Sequence, residues 1–131
     1  MSETFGNFDE AQAQLDSWVQ FAERRGEAAQ RAVDRIEALT VEVWSPRREV
    51  RVVLDQSGLL TDLEFAEWAP TESPGSLGRA VQKAHDDALL KWRDAMDAIA
   101  DEEYEDFEDL RTATKESAHA GLPPMLDEDN Q

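Results

Sequence analysis

Seven of the thirteen basic side chains of this 131-residue chain fall between Arg24 and Arg51. Arg24, Arg25, Arg31, Arg35, Arg47, Arg48 and Arg51 are the residues whose type and spacing could do chemistry. That chemistry is contact with phosphate oxygens: clustered guanidinium groups hold a nucleic-acid backbone in place without reading its bases. The competing reading is that nearby acids answer them on a solvated face. Asp16, Glu23, Asp34 and Glu37 lie on the same expected helix as the first four arginines, and Glu27 stands four residues before Arg31, a spacing that brings helical side chains together.

Other reactive constellations are missing from the sequence. Without cysteine there is no disulfide, thiolate nucleophile or Cys-type metal centre. His85 is followed by Asp86 and Asp87, but adjacent helical residues point to different faces, and no nucleophile accompanies them. His119 lies 34 residues further on. Gly75-Ser76-Leu77-Gly78 is too short for a phosphate-cradling fingerprint. Asp127-Glu128-Asp129-Asn130 lacks the glycine and spacing of a calcium loop. The expectation is therefore a non-enzymatic protein with no catalytic residue, metal or cofactor. Trp18, Trp44, Trp68 and Trp92 read as core or interface anchors, as amphipathic aromatics usually are.

The charge balance limits the partners. Thirty acids against thirteen bases give a net charge of −17, and residues 101–131 alone hold eleven acids and two bases. Such a surface repels nucleic acid and anionic membranes at long range and favours solubility or basic partners. The opening MSETFGNFDE has neither a basic region nor an apolar core, so it does not read as a secretory signal. No apolar run approaches the roughly 18 residues of a membrane span. A soluble, cytoplasmic protein with no membrane partner is expected.

The elements that must position the arginines follow from periodicity. The length suits one domain, expected over 8–117, with an N-terminal tail at 1–7 and a disordered acidic tail at 118–131. Residues 8–38 read as one helix, capped by Asn7 and Glu10. Leu15, Trp18, Ala22, Ala29, Val33 and Ile36 form its apolar stripe. At 1.5 Å per residue it would be a rod of roughly 45 Å, so its far half needs another helix to cover it. Strands are expected at 40–45, 49–55 and 59–66, where β-branched and apolar residues alternate with polar ones. Ser45-Pro46-Arg47-Arg48 makes the first turn and Asp55-Gln56-Ser57-Gly58 the second. A second helix is expected over 74–117, entered through Ser73 and Pro74, with fraying after residue 100 where like charges crowd. The fold class is α+β: long helix, three-stranded antiparallel sheet, long helix.

This order of elements resembles the YbaB/EbfC family of small nucleoid-associated proteins. The run from Val50 to Phe65, VRVVLDQSGLLTDLEF, is similar to that family's strand, turn and strand. Gly121-Leu122-Pro123-Pro124 resembles its Pro-rich close. The resemblance implies a homodimer joined through the sheets, with helices as tweezer-like arms that grip DNA with little sequence preference. The candidate DNA contacts are the seven arginines. The candidate dimer residues are Val50, Val52, Leu54, Leu63 and Phe65, and uncovered strand edges favour self-association independently. DNA-binding members usually carry more lysine on the arms. Actinobacterial relatives of this kind also accompany type VII secretion systems, so the alternative is an acidic cytoplasmic adaptor or chaperone for a protein partner. Tyr104-Glu105-Asp106-Phe107-Glu108 fits the Y-x-x-x-[DE] secretion signal.

Overall fold

Alternating valines and leucines between two helical rods resolve into an α+β fold. The computed structural model describes the backbone over residues 2–123 and the side chains over residues 7–123. The order is α1 (Ser2–Glu37), β1 (Val41–Trp44), β2 (Val50–Leu54), β3 (Leu60–Phe65), α2 (Pro74–Glu103) and α3 (Glu108–Ala120). The three strands form one antiparallel sheet in the order β1-β2-β3, and each lies within the bounds the alternation predicts. A bulge follows Val53, which pairs with Asp62 while Leu54 pairs with Leu60.

Pairing of Val43 with Val52 and of Val52 with Leu63 puts these side chains on one face. α2 lies over that face at β1 and β2. Val50, Val52 and Leu54 are fully buried there, with Val41, Val43, Ala84, Ala88, Trp92 and Met96 around them. Removing one such side chain from water contributes about 1.5–3 kcal/mol. α2 stops short of β3, all of whose residues are exposed. α2 starts where Ser73 and Pro74 place it, though the Ser73 hydroxyl makes no capping bond.

The turn between β2 and β3 is fastened to α2. Asp55 Oδ1 accepts from the backbone N–H of Ser57 at 2.8 Å and of Leu59 at 3.0 Å. Gly58 takes a left-handed backbone (φ 78°), and a Cβ there would stand 3.3 Å from the Trp92 ring. Glycine is required twice over, by conformation and by space. The Trp92 indole N–H reaches across to donate to the Gln56 carbonyl at 2.9 Å.

Four expectations change. First, α1 begins at Ser2, so Asn7 lies inside the helix rather than capping it, and residues 2–7 form no separate tail. Second, α1 docks through Ala28 and Ala32, which meet Ile99, Tyr104 and Phe107, with Ala29 and Ile36 partly covered. Small residues let the helix axes approach, and Val33 stays 43% exposed. Among the described residues nothing covers the far half: Phe8, Leu15, Trp18 and Val19 are all exposed.

Third, the helix expected over 74–117 breaks at Tyr104–Phe107. Acids at 102, 103, 105 and 106 meet the negative end of the α2 dipole, whereas Glu108 and Asp109 suit the positive end of a new helix. Both aromatics of the break are buried at 7% exposure, and Phe21 stacks edge-on against Phe107 with centroids 5.5 Å apart. Fourth, α3 turns back along α2, tied by Lys115 to Asp101 and by His119 Nε2 to Asp97 Oδ1 at 2.9 Å. Ala118 and Leu122 join the main core, so the segment after 117 is structural up to Pro123. Residues 124–131 of the expected tail lie outside the described residues.

Candidate nucleic-acid interface

The seven candidate arginines occupy three separate places. On α1, Arg25, Arg31 and Arg35 face the acids of the α2–α3 elbow. Arg25 forms a two-pronged pair with Asp109, Nη1 to Oδ1 at 3.0 Å and Nη2 to Oδ2 at 2.7 Å. Arg35 Nη1 meets Glu102 at 2.6 Å, and Arg31 Nε lies 3.4 Å from Glu103. These partners are distant in sequence, not the neighbouring acids of the same helix. Hydrogen bonding from Arg25 holds the Asp109 carboxyl below its usual range, and the same bonds raise Arg25 above its ordinary value. Arg24 has no ion pair among the described residues, but it lines a cleft shared with Glu102, Glu103, Glu105 and Asp106.

Arg51 sits at the centre of the sheet face opposite α2. Its guanidinium reaches Asp62 and Glu64, each at 2.8 Å, and Glu42 at 3.5 Å. Hydrogen bonding to Glu64 raises its pKa above the ordinary arginine value. One arginine of β2 here answers three acids on the two flanking strands, so it is spent inside the sheet and offers little to a phosphate.

Arg47 and Arg48 are differently placed. The β1–β2 turn is built on Ser45, whose hydroxyl oxygen accepts from the backbone N–H of Glu49 at 3.1 Å and of Val50 at 3.0 Å. The same hydroxyl donates to the Glu49 carboxylate at 2.8 Å, and both side chains belong to buried residues. Arg48 takes a left-handed backbone (φ 59°), uncommon for a residue with a Cβ. Its guanidinium carbon lies 4.7 Å from the centre of the Trp44 ring, a cation–π contact. Neither Arg47 nor Arg48 meets an acid among the described residues.

Two bases that the sequence reading does not single out stand beside this turn. Arg79 and Lys83 from α2 line a cleft with Arg47. Their four-residue spacing on a helix places them on one face, and that spacing is the signal that could have found them.

The candidate dimer residues divide. Val50, Val52 and Leu54 are fully buried beneath α2 and have no surface to give a second chain. Leu63 and Phe65 share their face but remain 39% and 48% exposed, because α2 does not reach β3. Leu59, Leu60 and Trp68, close by in sequence, are exposed as well. The tryptophans split likewise: Trp92 is core, Trp44 carries Arg48, and Trp18 and Trp68 are surface residues.

Among the described residues, no group of three or more His, Cys, Asp or Glu is arranged to hold a metal ion. Nor is any described helix long and apolar enough to cross a membrane. Comparison with curated proteins and with solved structures gives no significant match. A family model described as the YbaB/EbfC DNA-binding family matches residues 9–118, from the second turn of α1 nearly to the end of α3. With the whole sheet and α2, and most of α1 and α3, inside that match, the chain belongs to the YbaB/EbfC family of nucleoid-associated, DNA-binding proteins.

Proposed function

We propose that the protein acts as a homodimer that binds DNA weakly and without sequence preference, at the nucleoid in the cytoplasm. The family supports DNA as the ligand, and the observation that carries the placement is the β1–β2 turn. There Arg47 and Arg48 stand without acid partners among the described residues, on a chain of net charge −17. Arg25, Arg31, Arg35 and Arg51 are engaged by the chain's own carboxylates, which accounts for weakness. The test is a mobility-shift titration of the full chain on duplex DNA at low and at physiological salt. Binding should weaken by about 0.9 log units per contacted phosphate for each log unit of salt. Replacing both turn arginines (Arg47→Ala, Arg48→Ala) should lower that slope by about 2. No shift at low salt sinks the reading.

The dimer is proposed to join through β3, where a free strand edge and the uncovered Leu63 and Phe65 favour a second copy. Sedimentation should then give twice the chain mass, and Leu63→Glu with Phe65→Glu should give the monomer. Since both side chains are exposed, the fold should survive the change. A double variant that still sediments as a dimer removes β3 as the seam.

One observation favours a second reading, an acidic adaptor or chaperone for a protein partner. Phe8, Leu15, Trp18 and Val19 leave an apolar ridge on the free part of α1, which is more than a phosphate backbone requires. Capture of a defined partner that survives nuclease treatment, and is lost with Trp18→Ala, would support it. The link to type VII secretion is weakened, since Tyr104 of the signal-like run is buried at 7% exposure.

A further inference from the structure

On a chain that answers most of its cations internally, the places where positive charge is left over are informative. The elbow cleft, about 290 Å3, sets Arg24 and Arg31 against five acids, so it repels an anion. The cleft between the β1–β2 turn and the start of α2 has the opposite balance. It measures about 300 Å3 and is lined by Arg47, Arg79 and Lys83, with Glu49 the one acid. Glu49 is buried and its carboxylate is engaged by the Ser45 hydroxyl at 2.8 Å. Arg47 and Arg79 meet no acid among the described residues. Lys83 reaches Asp87 at 3.1 Å, but both side chains are solvent-exposed, and a pair of that kind opens at little cost.

The donor chemistry suits one class of ligand. Two planar guanidinium forks can each meet a pair of phosphate oxygens, and an ammonium adds a point charge. Ser76 offers a hydroxyl on the same wall. The turn is braced by Ser45, and Arg79 and Lys83 stand on a continuous helix, so two of the three cations are held by rigid elements. The cleft is open rather than enclosed, which fits a polymer passing across it better than a captured small molecule.

We propose that Arg47, Arg79 and Lys83 form a phosphate-gripping cleft, in which the oxygens of a polyanion backbone, that of DNA first, are held between the β1–β2 turn and α2. The proposal rests on the DNA reading above and extends it to two residues outside the arginine cluster. The same chemistry would also accept inorganic polyphosphate, so both ligands belong in the test.

The experiment uses the full chain and measures binding of labelled duplex DNA by fluorescence anisotropy over a salt series, with inorganic polyphosphate as competitor. Arg79→Gln with Lys83→Gln should reduce affinity at low salt by at least about tenfold and lower the salt slope by about 2. Lys91→Gln with Lys115→Gln removes the same charge elsewhere and should change affinity much less. Equal losses in the two double variants would show only long-range charge and overturn the cleft. So would unchanged binding by Arg79→Gln/Lys83→Gln, with the DNA reading left standing. If the native chain binds no DNA, calorimetry with inorganic tripolyphosphate decides separately. Saturable heat that vanishes in Arg79→Gln/Lys83→Gln supports the cleft while the DNA reading falls, and no heat overturns both.

Discussion

Replacing the elbow acids by their amides (Glu102→Gln, Glu103→Gln, Asp109→Asn) is expected to tighten DNA binding and steepen its salt dependence by up to about 2.7 log units per log unit of salt, about 0.9 for each of three released arginines. Arg25, Arg31 and Arg35 are now held by Asp109, Glu103 and Glu102, with the closest contacts at 2.7, 3.4 and 2.6 Å. An amide keeps the shape of each partner and removes its charge, so the guanidiniums become free to meet phosphate. The changes at Glu102 and Asp109 should affect the fold little, because their ion pairs are solvent-exposed and such pairs contribute little to stability. The Glu103 side chain is only 15% exposed, so the parallel melt is read on Glu103→Gln alone as well. Acid is a poor substitute for the mutations. Asp109 is depressed below its ordinary carboxylate value, so its contribution is complete above the usual carboxylate range. It is lost only as pH falls through the depressed value, far from neutrality. The measurement is anisotropy on duplex DNA with a parallel thermal melt. An unchanged affinity and slope would mean that this face of α1 never meets DNA.

The second large effect concerns stability. Trp92→Ala should cost about 3–5 kcal/mol, the usual range for emptying a buried aromatic site. Trp92 is 7% exposed, lies against Gly58 and donates to the Gln56 carbonyl at 2.9 Å. It therefore fastens the β2–β3 turn to α2 as well as filling the core. Trp92→Phe should cost less in volume but still forfeit the indole hydrogen bond, worth about 1 kcal/mol. Urea unfolding followed by circular dichroism measures both changes. A Trp92→Ala midpoint close to that of the native chain would show that the turn and core are fastened elsewhere.

The sheet was legible because its signal is local. Val41 and Val43 alternate with Glu42, while Val50, Val52 and Leu54 alternate with Arg51 and Asp55, and Gly58 marks the second turn. The helix break was not legible, because nothing between Tyr104 and Phe107 is a glycine or a proline, and Tyr104, Phe107 and Leu110 keep a helical period. The decision is tertiary: two aromatics are drawn onto Ala28 and Ala32 of α1, and the chain bends to deliver them. The same limit applies to the arginines. Their grouping between residues 24 and 51 was plain, yet their partners lie up to 84 residues away, beyond any spacing rule. Burial of Val50, Val52 and Leu54 followed from alternation, but only the placement of α2 decides whether a helix of the same chain or a second copy covers them.

α1 is 36 residues long, yet among the described residues its docking is confined to the stretch from Phe21 onward, centred on Ala28 and Ala32. From Gln20 back to Ser2 it is a cantilever of roughly 28 Å at 1.5 Å per residue. Two alanines at the pivot present smooth surfaces with few interlocking ridges. A tilt of about 10° there would carry the tip through roughly 5 Å, for a lever of that length. Such a swing would leave the sheet and its valine core unstrained. In the proposed homodimer, the opening between two such levers would then be a soft dimension, set by whatever lies between them rather than by the chain alone.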